Sequence, residues 1–355
     1  MSRAVNFGYV GCGFMGQKVH IPNFKSIPGC NFIALAELRP KLGKMVQERH
    51  RIPKLYPSHL ELADDDEIEA VGISGGFHVQ GEIAKDFLKA GKHVFVEKPM
   101  AVTSEQAEDI LSSSRKTAAR IMVGYMKRHD AGNVLVKELI DGYRRSGELG
   151  RIIYCRNHGF CGDWVSGLDT PMDNTDEAYP AQPPPPVPKW LSGGEYDKYI
   201  GYLQQYVHNI NLMRWFLGAS DAVSVREVDL DEDGYTGITV FDMGGVRSLL
   251  ESGGITHYRW DEHTQVYFEH GWVRTWAPPL LMKGATAEIE VYRGLASGHE
   301  YTRPIPRERW SWSYYREAEH FIKSVAESKE FSTPGEEALI DVRVVEQVYR
   351  RYLGR

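Results

Sequence analysis

The chain has 355 residues, enough for about two domains, and its hydrophobic content of 42% can furnish a large core. Lys and Arg total 42 against 48 Asp and Glu, a formal charge of −6; this mild acidity speaks against nucleic acid as a main partner, and no basic block points to a membrane surface. No apolar run reaches the ~20 residues of a membrane helix, the N-terminus enters the first strand without an apolar leader, and Cys12, Cys30, Cys155 and Cys161 show no CxxC spacing, so the expectation is a cytoplasmic protein.

Val5–Val10 reads as a buried strand and Phe14 to about Lys25 as a helix. Between and across them lies Gly11-Cys12-Gly13-Phe14-Met15-Gly16. A second apolar run, Asn31–Ala36, ends at Glu37, 21 residues after Gly16. This is the dinucleotide-binding arrangement in its required context: glycines for a tight turn and close approach to a pyrophosphate, a helix N-terminus for the anion, and an acid for a ribose diol. Glu37 favours NAD(H), because a carboxylate repels a 2′-phosphate. Arg39 lies close enough to leave NADP(H) open.

Pro40–His50 reads as a helix, Ala70–Ile73 as a strand, and His78–Ala90 as a helix stopped by Gly91. His93–Val96 is the next strand. Thr103-Ser104-Glu105-Gln106 opens another helix with capping chemistry, and Arg120–Gly124 closes the series. Strands separated by helices imply a doubly wound parallel sheet.

After about residue 150 the pattern changes. Arg151–Gly159 alternates like a strand of a half-exposed sheet. An irregular stretch, roughly Cys161 to Tyr196, carries Pro180, Pro183, Pro184, Pro185, Pro186 and Pro188 and reads equally as a lid or a passive insertion. Tyr199–Phe216 reads as one helix stopped by Gly218. Six alternating runs follow: Ala222–Val228, Thr236–Asp242, Val246–Glu251, Thr264–Glu269, Trp272–Trp276 and Ala287–Val291. Strands without intervening helices imply a mainly antiparallel sheet. Ser311–Ser328 and Pro334–Tyr352 read as closing helices. The expected architecture is an α/β chain: a nucleotide-binding domain over 1–125, then an α+β domain over 126–355 built on a large open sheet, the helix over 334–353 packing back on the first domain.

Glu97-Lys98-Pro99 follows a strand end, where ligands gather in an open parallel sheet. A lysine there can hydrogen-bond a substrate hydroxyl and ease removal of its proton. His78, in Gly75-Gly76-Phe77-His78, follows another strand end, where a helix N-terminal role is the simpler reading and the family resemblance that follows implies a place near the cofactor. Gln204, His208, Asn211 and Trp215 fall on one face of a helix. Arg128, His158, Asp163 and Trp164 are candidate contacts for the sugar that the family resemblance that follows implies, since a sugar needs polar partners for its hydroxyls and a flat apolar surface for its C–H face. No paired cysteine or histidine set calls for a metal.

Gly11-x-Gly13-x-x-Gly16, Glu97-Lys98-Pro99, and His208 on a helix ending Met213–Gly218 resemble the Gfo/Idh/MocA oxidoreductase family. Leu88–Val94 and Val123 to Arg128 add to the likeness. The resemblance implies a Rossmann domain followed by a domain whose open sheet forms a dimer or tetramer interface, and NAD(P)-linked oxidation or reduction of a carbohydrate, cyclitol or related hydroxyl compound. It implies that Lys98 and His208 are catalytic, the histidine as general base in oxidation. Gln204 stands where the family commonly has an aspartate, and Asn211 where another is common, so the pocket is less anionic than the family's. The leading reading is an NAD-dependent sugar or glycoside dehydrogenase, with C3 of a glucoside as a candidate position. Two alternatives are a redox-assisted glycosidase that retains its NAD and an inactive nucleotide-binding sensor.

Overall fold

The computed structural model describes residues 3–165, 172–255, 260–308 and 310–355; part of the proline-bearing stretch expected as a lid or insertion, residues 166–171, lies outside the described residues. The chain divides into two compact units. One holds residues 1–125, 169–190 and 314–342, the other 126–168, 191–313 and 343–355.

The first unit is built on a six-stranded parallel sheet of β1 (Val5–Val10), β2 (Cys30–Ala36), β3 (Lys54–Tyr56), β4 (Ala70–Ile73), β5 (His93–Glu97) and β6 (Ile121–Gly124), in the order β3-β2-β1-β4-β5-β6. Helices α1 (Ile21–Ser26), α2 (Pro40–His50), α3 (His59–Ala63), α4 (Gln80–Lys89) and α5 (Ser104–Arg115) connect the strands. β4, β5 and β6 are near-continuous apolar runs because a parallel sheet between helix layers is buried on both faces. The strand order reverses between β1 and β4, which opens a crevice at the carboxyl ends of the strands. The expected parallel doubly wound sheet is thus present. β3 and α3 were not anticipated: Lys54–Tyr56 is three half-buried residues, too short for a periodic signal.

The first helix widens into a π-helical turn over Gly16–His20 before α1 begins; Pro22, in α1's first turn, has no N–H to give. Thr103 caps α5 by accepting from the Gln106 amide at 3.0 Å, and the Gln106 side chain reaches back to the Val102 amide at 3.0 Å. The core is aromatic. Phe7 stacks on Phe24 with ring centroids 4.3 Å apart, and Phe321 of α8 (Ser313–Ala326) packs edge-on to Phe95 at 5.8 Å. The start of α9 (Gly335–Tyr352) lies on β6 and α5, since a Cβ on Gly335 would come within 2.7 Å of both Ile121 and Leu111.

The second unit is an eight-stranded sheet of β7 (Ile152–Cys161), β8 (Val223–Leu230), β9 (Gly237–Met243), β10 (Val246–Gly254), β11 (Asp261–Phe268), β12 (Gly271–Trp276), β13 (Glu288–Leu295) and β14 (Gly298–Thr302), in the order β14-β13-β12-β11-β7-β10-β9-β8. Every pairing is antiparallel except β7 with β10. The expected large, mainly antiparallel sheet is present. α6 (Ala131–Ser146) and α7 (Tyr196–Leu217) pack on it; α6 and β14 were not anticipated. The signal for α6 was in the sequence: Asp130 caps it, accepting from the amides of Gly132 at 2.8 Å and Asn133 at 3.1 Å.

A buried polar network fixes the rotation of α7. The Asn209 amide donates to Asn157 Oδ1 at 2.8 Å and Glu262 Oε1 at 3.2 Å, and Asn157 donates to Thr264 Oγ1 at 2.7 Å. Tyr206 OH donates to the Gly159 carbonyl at 3.1 Å and accepts from the Gly253 amide at 2.7 Å. Glu262 pairs with Lys127 and accepts from Trp260 Nε1 at 3.0 Å, all three side chains being buried. Removing one member of a buried ion pair strands the other. Glu262→Leu should therefore cost about 3–5 kcal/mol in urea unfolding, and Lys127→Met with Glu262→Leu should recover most of it; a double variant no better than the single one contradicts this.

Candidate functional site

The glycine-rich turn does what each of its positions requires. Gly11 has φ +101°, and a Cβ there would be 2.3 Å from the Ser74 carbonyl oxygen. A Cβ on Gly16 would be 2.3 Å from the Gly11 carbonyl oxygen. Gly13 is exposed and a Cβ on it would meet nothing within 4 Å, so the backbone faces open space between half-buried Phe14 and the turn. Phe14 and Met15 lead into the helical segment. This cradle fits a dinucleotide pyrophosphate. Burial and the adjoining Glu37 carboxylate push the Cys12 thiol up, so it stays protonated.

Glu37 follows β2 with its carboxylate buried. Oε2 accepts from the Cys12 amide at 2.7 Å, and Oε1 accepts from Arg39 Nε at 2.7 Å and from the Arg39 amide at 3.1 Å. Acid and glycine loop are thus joined, with Arg39 folded onto the acid. His78 lies in the turn that precedes α4, not within the helix as expected; its ring packs against Gly76.

Glu97 is the last residue of β5, and Lys98 is half-buried beyond it, ahead of the cis Lys98-Pro99 bond. Glu97 Oε2 accepts from the Lys98 amide at 3.1 Å. Gln80 Nε2 donates to the carbonyls of Glu97 at 2.9 Å and Pro99 at 2.6 Å, bracketing the lysine's backbone. Gln80, fully buried in the first turn of α4, is a positioning residue that the sequence reading missed.

Behind Glu97 lies a second missed feature. His20 Nε2 is 2.8 Å from Glu97 Oε1, and Glu317 of α8 completes a buried group whose ligand-type atoms all lie within 4.8 Å of one another. Both Glu317 oxygens lack a hydrogen-bond partner among the described residues. Burial, and then the negative charge of Glu97, hold the Glu317 carboxyl well above the usual range. The signal was a carboxyl on a core stripe, since Tyr314, Glu317, Ala318 and Phe321 recur at helical spacing and are all buried.

The remaining candidates belong to the second unit. α7 presents Gln204, His208, Asn211 and Trp215 at helical spacing; His208 and Asn211 are buried and Gln204 and Trp215 are half-buried. The Arg128 guanidinium lies 5.2 Å from the centre of the Trp215 ring, so the structure brings Arg128 to this stripe. Asp163 and Trp164 follow the carboxyl end of β7, where the Asp163 carboxylate accepts from the Val165 amide at 3.0 Å and Trp164 is exposed. That strand end is the one Tyr206 anchors to α7.

His158 is not brought to this group. Asn157 and Gly159 face α7, and the period of two turns His158 to the other face of the sheet. There it pairs with Glu251 at 2.9 Å and stacks between Phe160 at 4.6 Å and His263 at 4.9 Å. The same alternation separates His158 from Cys155, which is buried on the α7 side.

Glu317 keeps a proton in the folded protein at pH values where an unfolded carboxyl, with a pKa of about 4.3, has lost it. The folded state then binds more protons, so this group's support is complete below that pKa and is lost as pH rises. The melting temperature of Glu317→Gln, minus that of the parent, should therefore grow between pH 5 and pH 8 in a calorimetric series. A difference that does not vary with pH contradicts the assignment.

Residues 5–125 match the family model described as an oxidoreductase family with an NAD-binding Rossmann fold. Over its length the chain is 23% identical to inositol 2-dehydrogenase of Rhizobium meliloti (strain 1021), covering 98% of this chain and 96% of the relative. Two solved structures share the fold. Levoglucosan dehydrogenase in complex with NADH and levoglucosan aligns with a TM-score of 0.73 at 19% identity, over 98% of each chain. A 3-ketoreductase from Actinomadura kijaniata in complex with NADP aligns with a TM-score of 0.73 at 18% identity, over 98% of this chain and 97% of that one.

Proposed function

We propose that the chain, whose residues 5–125 match the model of the Gfo/Idh/MocA oxidoreductase family, oxidises a ring hydroxyl of a sugar, cyclitol or glycoside with NAD(H), using Lys98 and His208, with C3 of a glucoside as the first position to test. The observation that carries the reading is the coincidence of the Gly11–Gly16 cradle, joined to Glu37, with a lysine held by its backbone at the carboxyl end of β5. The full-length relative acts on inositol and one fold neighbour holds levoglucosan, which supports a polyhydroxy ring as substrate.

Gly11, Gly13, Phe14, Met15 and Gly16 would hold the pyrophosphate, Glu37 and Arg39 the adenosine ribose, and His78, Glu97 and Lys98 would line the cofactor's reactive end. When bound, the nicotinamide supplies a hydride acceptor. His208 takes the proton of the reacting hydroxyl, and the Lys98 ammonium donates a hydrogen bond to the same oxygen as charge develops on it. Gln204, Asn211 and Arg128 supply neutral and cationic partners for the other hydroxyls, and Asp163 with Trp164 a polar and a flat contact further along. The stripe lacks the aspartate common in the family, so a neutral glycoside suits it.

His158 takes no part in this scheme. Its open sheet face also carries Arg274, stacked 3.9 Å from the centre of the Trp276 ring, and such a face fits a homodimer or homotetramer contact. Among the described residues no helix is long and apolar enough to cross a membrane, and we assign the protein to the cytoplasm.

Lys98→Ala and His208→Ala should each lower turnover about 10²- to 10⁴-fold, the usual span for positioned acid–base groups, and His208→Ala should leave NAD(H) affinity unchanged. Turnover is read as NADH formation across inositols, aldoses and glucosides, and mass spectrometry reads the loss of two hydrogens. Near-parental turnover in either variant, or no such product from any member of the panel, contradicts the proposal.

A further inference from the structure

The segment over 172–190 belongs to the first unit although about 45 residues separate its start from β6. It is fastened beside the nucleotide cradle at successive points. Gln17 and Asp173 bond reciprocally: Nε2 donates to the Asp173 carbonyl at 3.0 Å and Oε1 accepts from its amide at 2.8 Å. The same Gln17 amide donates to the Cys12 carbonyl at 2.8 Å, inside the glycine-rich turn. Arg49 donates to Asp173 Oδ1 at 2.6 Å, and Lys41 donates to Asp176 at 3.0 Å.

Glu177 accepts from the amides of Lys41 at 2.9 Å and Leu42 at 3.0 Å, so it caps the first turn of α2 from 135 residues away. Desolvation raises the Glu177 carboxyl, but those amides and the Thr175 hydroxyl outweigh it and hold it below its usual range. Two residues on, the Tyr179 ring lies 5.0 Å from the Arg39 guanidinium carbon, on the arginine that already donates to Glu37. Tyr179 is 55% exposed.

Resting on the NAD(H) reading above, we infer that Tyr179 is a specificity-determining residue: it clamps Arg39 against Glu37 and so keeps the guanidinium from a 2′-phosphate. With Arg39 held, the carboxylate beside the ribose position keeps its compensating cation and can accept from a diol. A 2′-phosphate needs Arg39 to leave Glu37 and turn to the dianion, and the ring opposes that movement. The clamp is built from a segment that no dinucleotide fingerprint includes.

The test measures the dissociation constants of NADH and NADPH by nucleotide fluorescence for the full chain, Tyr179→Ala and Tyr179→Phe. Tyr179→Ala should shrink the preference for NADH over NADPH about two- to fivefold, the scale of an exposed cation–π contact, chiefly by tightening NADPH. Tyr179→Phe, which keeps the ring, should stay near the parent. An unchanged ratio in Tyr179→Ala overturns the inference. Equal tightening of both nucleotides overturns it too, since the ring would merely fill the nucleotide's place; equal weakening overturns it as simple packing. A parent chain that prefers NADPH overturns both the inference and the NAD(H) reading, whereas a parent that prefers NADH beside an unaltered Tyr179→Ala overturns the inference alone.

Discussion

Glu97 ends the fifth strand with its carboxylate turned inward, between the ring of His20 and the amide of Lys98. A strand end is ordinarily where backbone groups lose their partners and the chain begins to wander. Here the carbonyls on either side of Lys98 are taken by one buried glutamine, and its amide by the carboxylate that precedes it. The lysine backbone therefore has little freedom, and its side chain starts from a fixed point at the strand terminus. Two carboxyls and an imidazole in an aromatic interior are costly to bury unless protons are shared among them. Burial and the charge of Glu97 hold the Glu317 carboxyl well above the usual range, while Glu97 accepts from the Lys98 amide.

The nucleotide end obeys a comparable rule of compensation. Glu37 is nearly enclosed and would be an unfavourable charge on its own; the Cys12 amide and Arg39 neutralise it. The same contacts tie the acid to the glycine-rich turn, so the position for a diol and the position for a pyrophosphate are set relative to each other within one unit. In the second unit the fixing device is different in kind. Asn209, Asn157 and Glu262 lock α7 in rotation, and the stripe carrying Gln204, His208 and Asn211 takes its direction from that lock.

Much of this was legible in the chain. Continuous apolar runs betrayed β1, β4, β5 and β6, and α2 and β4 came out with the expected bounds because Pro40 and the flanking polar residues punctuate them. The parallel sheet, the mainly antiparallel sheet and the family likeness all followed from such local signals. Features that depend on distant partners did not. His20, Gln80 and Glu317 look like ordinary helical residues until the fold places them behind one strand end. β3 is too short to have a period, and α6 was passed over although Asp130 caps it. Residue type made His158 a candidate sugar contact, whereas the pleat turns it to the face away from α7. The residues that fasten the 172–179 segment are each a single polar side chain, meeting a partner more than 120 positions away.

The proposal with most at stake is that Lys98 and His208 serve one reacting oxygen. A crystal structure of the protein with NADH and an inositol or glucoside bound tests it most directly. The account predicts Lys98 Nζ and a ring nitrogen of His208 each within about 3.2 Å of the same ligand oxygen, the reach of a working acid–base pair. A complex in which the two groups address different oxygens, or in which either turns away from the ligand, would contradict it.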